Sequence, residues 1–137
     1  MLSSLFNPVI KHRRSKKILL DLWREMNVNL ERFYVIDQRQ FISSAFLLDS
    51  WGVAKHSASV NFSAEVLDYA SVLEQFNSAY EDMQIFEKSY LSSIANKTRA
   101  NALILHAKKE FLDDMVRQIK PRILLAQQAL RPLLDLK

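Results

Sequence analysis

Apolar residues recur three and four positions apart along most of the chain, the spacing that lines one face of an α-helix. Leu19, Leu22, Met26, Phe33 and Ile36, with Asn29 in the same register, predict an amphipathic helix over 8–36. Asn7-Pro8 supplies its start: Asn caps, and Pro at a first helical position lacks only an N–H that has no partner there. Asp37-Gln38-Arg39-Gln40 has the form of a capping box, with Ile36 and Phe41 at the flanking apolar positions. It predicts a new helix over 38–51 with Phe41, Ala45 and Leu48 inward. Gly52 then falls where a left-handed residue ends a helix, pairing Leu48 with Val53. Residues 53–62 have no period and read as a loop. Ser63 is a helix cap, Glu65 suits the positive end of the dipole, and Phe62 and Leu67 flank the start.

A third helix is predicted over 64–92, with Val66, Tyr69, Leu73, Phe76, Tyr80, Met83 and Tyr90 on one face. A polar turn over 92–98 leads to a last helix over 98–135. Its inward residues are read as Leu103, Ala107, Phe111, Met115, Ile119, Ala126, Leu130 and Leu133. Pro121 removes a backbone hydrogen bond and predicts a kink. The expected fold is all-α: one domain over 1–137, an up-and-down bundle of about four helices, the second short and the last kinked near Pro121.

Composition narrows the chemistry. The chain of 137 residues has one glycine and no cysteine. Glycine-rich phosphate loops are excluded, and so are thiolate metal sites, disulfides and cysteine nucleophiles. No uncharged run exceeds about nine residues, against the roughly 20 that span a bilayer, and the N-terminus does not have the charge order of a signal peptide. A cytoplasmic location, with peripheral attachment to a membrane as an option, is the expectation.

The net charge of +4 is unevenly placed: residues 1–40, 41–96 and 97–137 carry +4, −5 and +5. Such an order suits segments that attract one another side by side. One run stands apart. Lys11, Arg13, Arg14, Lys16 and Lys17 lie within seven residues that contain no acid, directly after apolar Leu2, Leu5, Phe6, Val9 and Ile10. Residues 1–17 therefore form an apolar and basic N-terminal segment, able to move on its own. It could lie on an anionic membrane surface or hold nucleic-acid phosphates. The plainer alternative is a solvated helix end.

Candidates for catalysis are few. No Glu-x-x-His pair of the kind that builds a metal centre in a bundle occurs. His106, Glu110 and Asp114 share one helical face, which reads as a polar stripe. His56, Ser57 and Ser59 share the 53–62 loop, but no acid completes a triad. Arg99 and His106, separated by six residues at the start of the last helix, resemble the Arg-x4–6-His motif of the HEPN ribonucleases. That resemblance implies metal-independent RNA cleavage, with Arg99 stabilising phosphorane charge and His106 in acid–base transfer. The family usually has a polar residue after the Arg, where this chain has Ala100.

The reading these features favour is a non-catalytic helical interaction or scaffold protein, using no cofactor and no metal. Its partner would be another protein or a second copy. Trp23 and Leu30, off the main stripe of the first helix, and Phe46 and Leu47 on the second, are the expected partner-facing residues. Asn29 and Asn77 lie on or beside apolar stripes, where a buried Asn fixes register. The alternative reading is the HEPN-like ribonuclease using Arg99 and His106.

Overall fold

A computed structural model describes residues 2–39, 46–57 and 60–134, with the side chains of 15–35, 46–57 and 60–134. Among the described residues there are four α-helices and no strand: α1 (Leu2–Arg39), α2 (Asp49–Ala54), α3 (Ala64–Ser92) and α4 (Arg99–Leu134). A single 3₁₀ turn, Ile94–Asn96, joins α3 to α4. The all-α bundle expected from the apolar spacing is the observed fold.

Helix α1 starts at Leu2, ahead of the expected start at Asn7-Pro8, and runs on to Arg39 through the expected boundary at Ile36. Leu19, Leu22, Met26, Asn29 and Phe33 are buried as the spacing predicts, and Glu25, which the spacing does not place inside, is buried with them. The capping box at Asp37 does not open a helix, because Asp37 to Arg39 still belong to α1. Phe41 and Ala45 lie outside the described residues. The second helix is not 38–51 but the six-residue α2, and Gly52 sits inside it rather than ending it. Gly52 has no left-handed backbone, and a Cβ there would meet nothing. The expected Leu48–Val53 closure is absent, and Val53 points to solvent.

Helix α3 has the expected bounds, and Val66, Tyr69, Leu73, Phe76, Tyr80 and Met83 are buried as expected, whereas Tyr90, expected on the same face, is only partly buried because it lies beyond the end of α1. Ser63 stands at its cap position without a side-chain cap bond, and Leu67 is half-exposed, so the Phe62–Leu67 pair does not enclose the start. Helix α4 starts one residue after Thr98, whose Oγ1 accepts from the Asn101 N–H at 3.1 Å. It runs unbroken through Pro121 and Pro132.

The inward face of α4 differs from expectation. The buried residues are Leu112, Val116, Ile119, Ile123, Ala126, Gln127, Leu130 and Leu134. Leu103, Ala107, Phe111 and Leu133, expected inside, are exposed. Two apolar stripes with the same three-four spacing run along this helix, about a quarter-turn or more apart at roughly 100° per residue. Periodicity finds both and cannot say which one the chain itself covers.

Three contacts fix the direction of α1 against α4. Gln127 donates to Asn27 at 2.6 Å, Arg131 lies over the Trp23 ring, and Lys120 lies over Tyr34. Numbers rise on one helix as they fall on the other, so the pair is antiparallel. Helices α3 and α4 are antiparallel too, bridged by Lys109 and Glu87 at 3.2 Å. The same counting brings the end of α1 level with Met115, beside Ala79. Beyond that level, α3 and α4 continue as a two-helix hairpin. No described residue from 84 to 111 is buried.

Candidate interaction surface

The buried polar groups serve the fold. Residues 46–48 pass between α1 and α3, and two asparagines hold their backbone. Asn29 Nδ2 donates to the Leu47 carbonyl at 2.8 Å, and its Oδ1 accepts from the Leu47 N–H at 2.7 Å. Asn77 treats Phe46 in the same way, accepting from its N–H at 3.0 Å and donating to its carbonyl at 2.9 Å. A primary amide offers one donor and one acceptor side by side, matching the N–H and C=O of a single residue. Glu25 supplies the cap that α2 lacks locally: the Ser50 and Trp51 N–H groups donate to its two oxygens at 2.8 and 3.1 Å. The Trp51 indole donates to Glu74 at 3.2 Å. Asn29 Nδ2 also donates to the Tyr69 hydroxyl at 2.8 Å. Burial pushes the Tyr69 phenol well above its ordinary pKa, against the lowering effect of the Asn29 bond. Among the described residues no buried side-chain nitrogen or oxygen lacks a partner.

The expected site residues fall as follows. Phe46 is not partner-facing. It is buried edge-to-face on Phe76 at 5.2 Å, because its segment is irregular and held by two asparagines rather than presented on a helix. Trp23 and Leu30 are partly buried and pack against the core, while Leu47 is half-buried. Lys16 and Lys17 are exposed on α1, and the side chains of Lys11, Arg13 and Arg14 lie outside the described residues. Arg99 is exposed in the first turn of α4. His106 is exposed too, with its Nε2 3.0 Å from Glu110. Among the described residues no three His, Asp or Glu side chains gather as a metal ion requires. In the loop, His56 is exposed and Ser59 lies outside the described residues.

What stands out is the second stripe of α4. Leu103, Ile104, Phe111, Leu125 and Leu133 are 60%, 44%, 56%, 49% and 52% exposed. Met115 and Ala129, partly buried, lie between them. These residues share the side of α4 turned away from Asn27, Tyr34 and Trp23 of α1. Where the stripe passes α3, an open groove of about 460 Å³ is floored by Ala79, Phe111 and Met115, with Gln75, Ser78 and Asp82 on the α3 rim. A second hollow of about 310 Å³ lies near the end of the stripe, lined by Phe62, Ala129, Pro132 and Leu133. Helix α1 fills one side of the α3–α4 pair, and among the described residues no helix lies on this side.

No family model matches the chain, and no curated protein or solved structure matches it. Among the described residues no helix is long and apolar enough to cross a membrane.

Proposed function

We propose that the protein is a non-catalytic helical interaction protein that docks a partner on the outer face of α4. One observation carries this reading: on one side of α4 two apolar stretches, Leu103 to Met115 and Leu125 to Leu133, separated by Gln118 and Arg122, are left largely uncovered by the described residues. Single exposed apolar residues are ordinary, but here five large ones gather on one side of the same helix, the kind of clustering that marks interaction sites. The groove beside Ala79 and Met115 gives the face shape as well as hydrophobicity. The buried polar network supports the same reading, because its members are all committed to holding 46–51 in place. A cysteine-free chain of this kind suits the reducing cytoplasm.

The reading is tested in the cell that makes the protein. The double substitution Phe111→Ser, Leu125→Ser removes the middle of the stripe without touching the core. It should reproduce the loss-of-gene phenotype at normal protein abundance, while His106→Ala should leave function intact. Normal function in the stripe variant, or loss of function in His106→Ala, would overturn the reading and favour a site built on the start of α4.

A further inference from the structure

Resting on that reading, we infer that the occupant of the α4 face is a second copy of the chain, with the two α4 helices antiparallel about a two-fold axis at Gln118. The register follows from the residues. An axis at Gln118 sets Leu103 against Leu133, Ile104 against Pro132, Ala107 against Ala129, Phe111 against Leu125 and Met115 against Pro121. Five of the six large apolar residues exposed on α4 thereby meet an apolar residue of the other copy. The sixth, Leu124, lies on a different face.

The same register sets Asp114 against Arg122, twice, once on each side of the axis. Arg122 lies on the line of the stripe, three turns after Phe111, and Asp114 lies beside it. Asp114 is largely exposed, and its contact with Arg117 within the chain is long, at 3.9 Å. Opposite charges facing each other across a two-fold axis fix register, since every pair is made twice. The neighbouring registers lose this. Moving the axis by half a heptad toward the N-terminus puts Phe111 against Gln118, and moving it the other way puts Gln118 against Leu125. Either shift separates Asp114 from Arg122.

The area approaches what a weak dimer needs. A stripe of 30 residues is roughly 45 Å long at 1.5 Å per residue and about 10 Å wide, so α4 alone offers on the order of 450 Å² per copy. The α3 rim at Gln75, Ser78 and Asp82 adds to this and brings it toward the roughly 600 Å² per partner at the low end of specific interfaces. Leu125 of the other copy falls level with Phe111, at the groove that Ala79 and Met115 floor. Two α3–α4 pairs so joined form a four-helix layer with an α1 outside each α4.

The absence of cysteine makes a direct test available. Gln118→Cys places one exposed thiol on the axis, and Glu31→Cys places one on α1, on the far side of α4. With oxidised glutathione as oxidant, Gln118→Cys should become mostly disulfide-linked dimer, at least tenfold more than Glu31→Cys. By sedimentation, Asp114→Arg and Arg122→Asp should each weaken self-association more than tenfold, and the two together should restore it to within about threefold. Equal cross-linking of the two cysteine variants, or no restoration in the charge-swapped double variant, would overturn the axis. A monomeric unaltered chain up to millimolar concentration would overturn the second copy as occupant. If the chain is monomeric but Phe111→Ser, Leu125→Ser still abolishes function in the cell, the dimer falls and the docking face stands. If both fail, the face itself has no role.

Discussion

Replacing Asn29 with alanine takes away both partners of one backbone residue in a single step. Asn29 is fully buried on α1 and makes three hydrogen bonds, two with Leu47 and one with Tyr69. Without it, the Leu47 N–H and C=O are left in a half-buried position where water reaches them poorly. An orphaned polar group costs about 1–3 kcal/mol, and at the lower half of that range two of them cost about 2–4 kcal/mol. Alanine is the better helix former by roughly 0.6 kcal/mol, which offsets a little. The expected net loss is about 2–3 kcal/mol, a large share of the roughly 5–15 kcal/mol that holds a domain of this kind together. Urea unfolding followed by circular dichroism reads it: the midpoint should fall by about 1–1.5 M for a slope near 2 kcal/mol/M, with the slope unchanged. Asn29→Leu fills the volume but restores no partner, so it should lose a similar amount. Asn77→Ala releases Phe46, the neighbouring residue of the same segment, and the double variant should cost at least 0.5 kcal/mol less than the two singles added. A loss below about 0.5 kcal/mol in Asn29→Ala, or strict additivity with Asn77→Ala, would refute the idea that these asparagines hold the segment through its backbone.

Gly52→Ala should stabilise the protein by about 0.4–1 kcal/mol in the same assay, because the site is helical, has an ordinary backbone and leaves the new Cβ in open space. The raised pKa of Tyr69 makes the folded state hold a proton that the unfolded chain releases. Its contribution is therefore complete below the ordinary phenol range near pH 10 and is lost as pH rises beyond it, at up to about 1.4 kcal/mol per pH unit. Tyr69→Phe should flatten that alkaline fall relative to the unaltered chain, at a cost of about 1 kcal/mol at neutral pH for the lost Asn29 bond. Neutralising Lys11, Arg13, Arg14, Lys16 and Lys17 takes the net charge from +4 to −1 and should abolish retention on heparin at low salt, while Gln replacements of Lys97, Lys108 and Lys109 should not.

The bounds and core of α3 were legible because every signal for them is local: one uninterrupted stripe, a Ser before it and an acid in the first turn. The core face of α1 was legible for the same reason. The segment from Asp37 to Ala54 was not. Its local signals, a capping box and a glycine, describe a helix that ends at 51, yet α2 is capped by Glu25, a residue of another helix. A cap delivered from 25 positions away leaves no mark near the helix it starts. Phe46 was misplaced on the same account, since an irregular segment held by Asn29 and Asn77 has no pattern of its own. The α4 stripe was legible as a stripe and illegible as a surface. Leu103, Ala107, Phe111 and Met115 keep a core-like spacing, and only the position of α1 shows that they face outward.

The antiparallel seat of α1 on α4 also sets an order of events at the ribosome. Asn27 and Gln127, bonded in the finished fold, are 100 residues apart in the chain. At about 5–20 residues per second, the apolar face of α1 emerges roughly 5–20 s before the helix that will cover it. The α3–α4 hairpin, whose partners are close in sequence, can close as soon as its second arm is made. Of the four helices described, the one made first is thus the last to find its place. During that interval Leu22, Met26 and Phe33 are exposed on the nascent chain, where a chaperone would meet them.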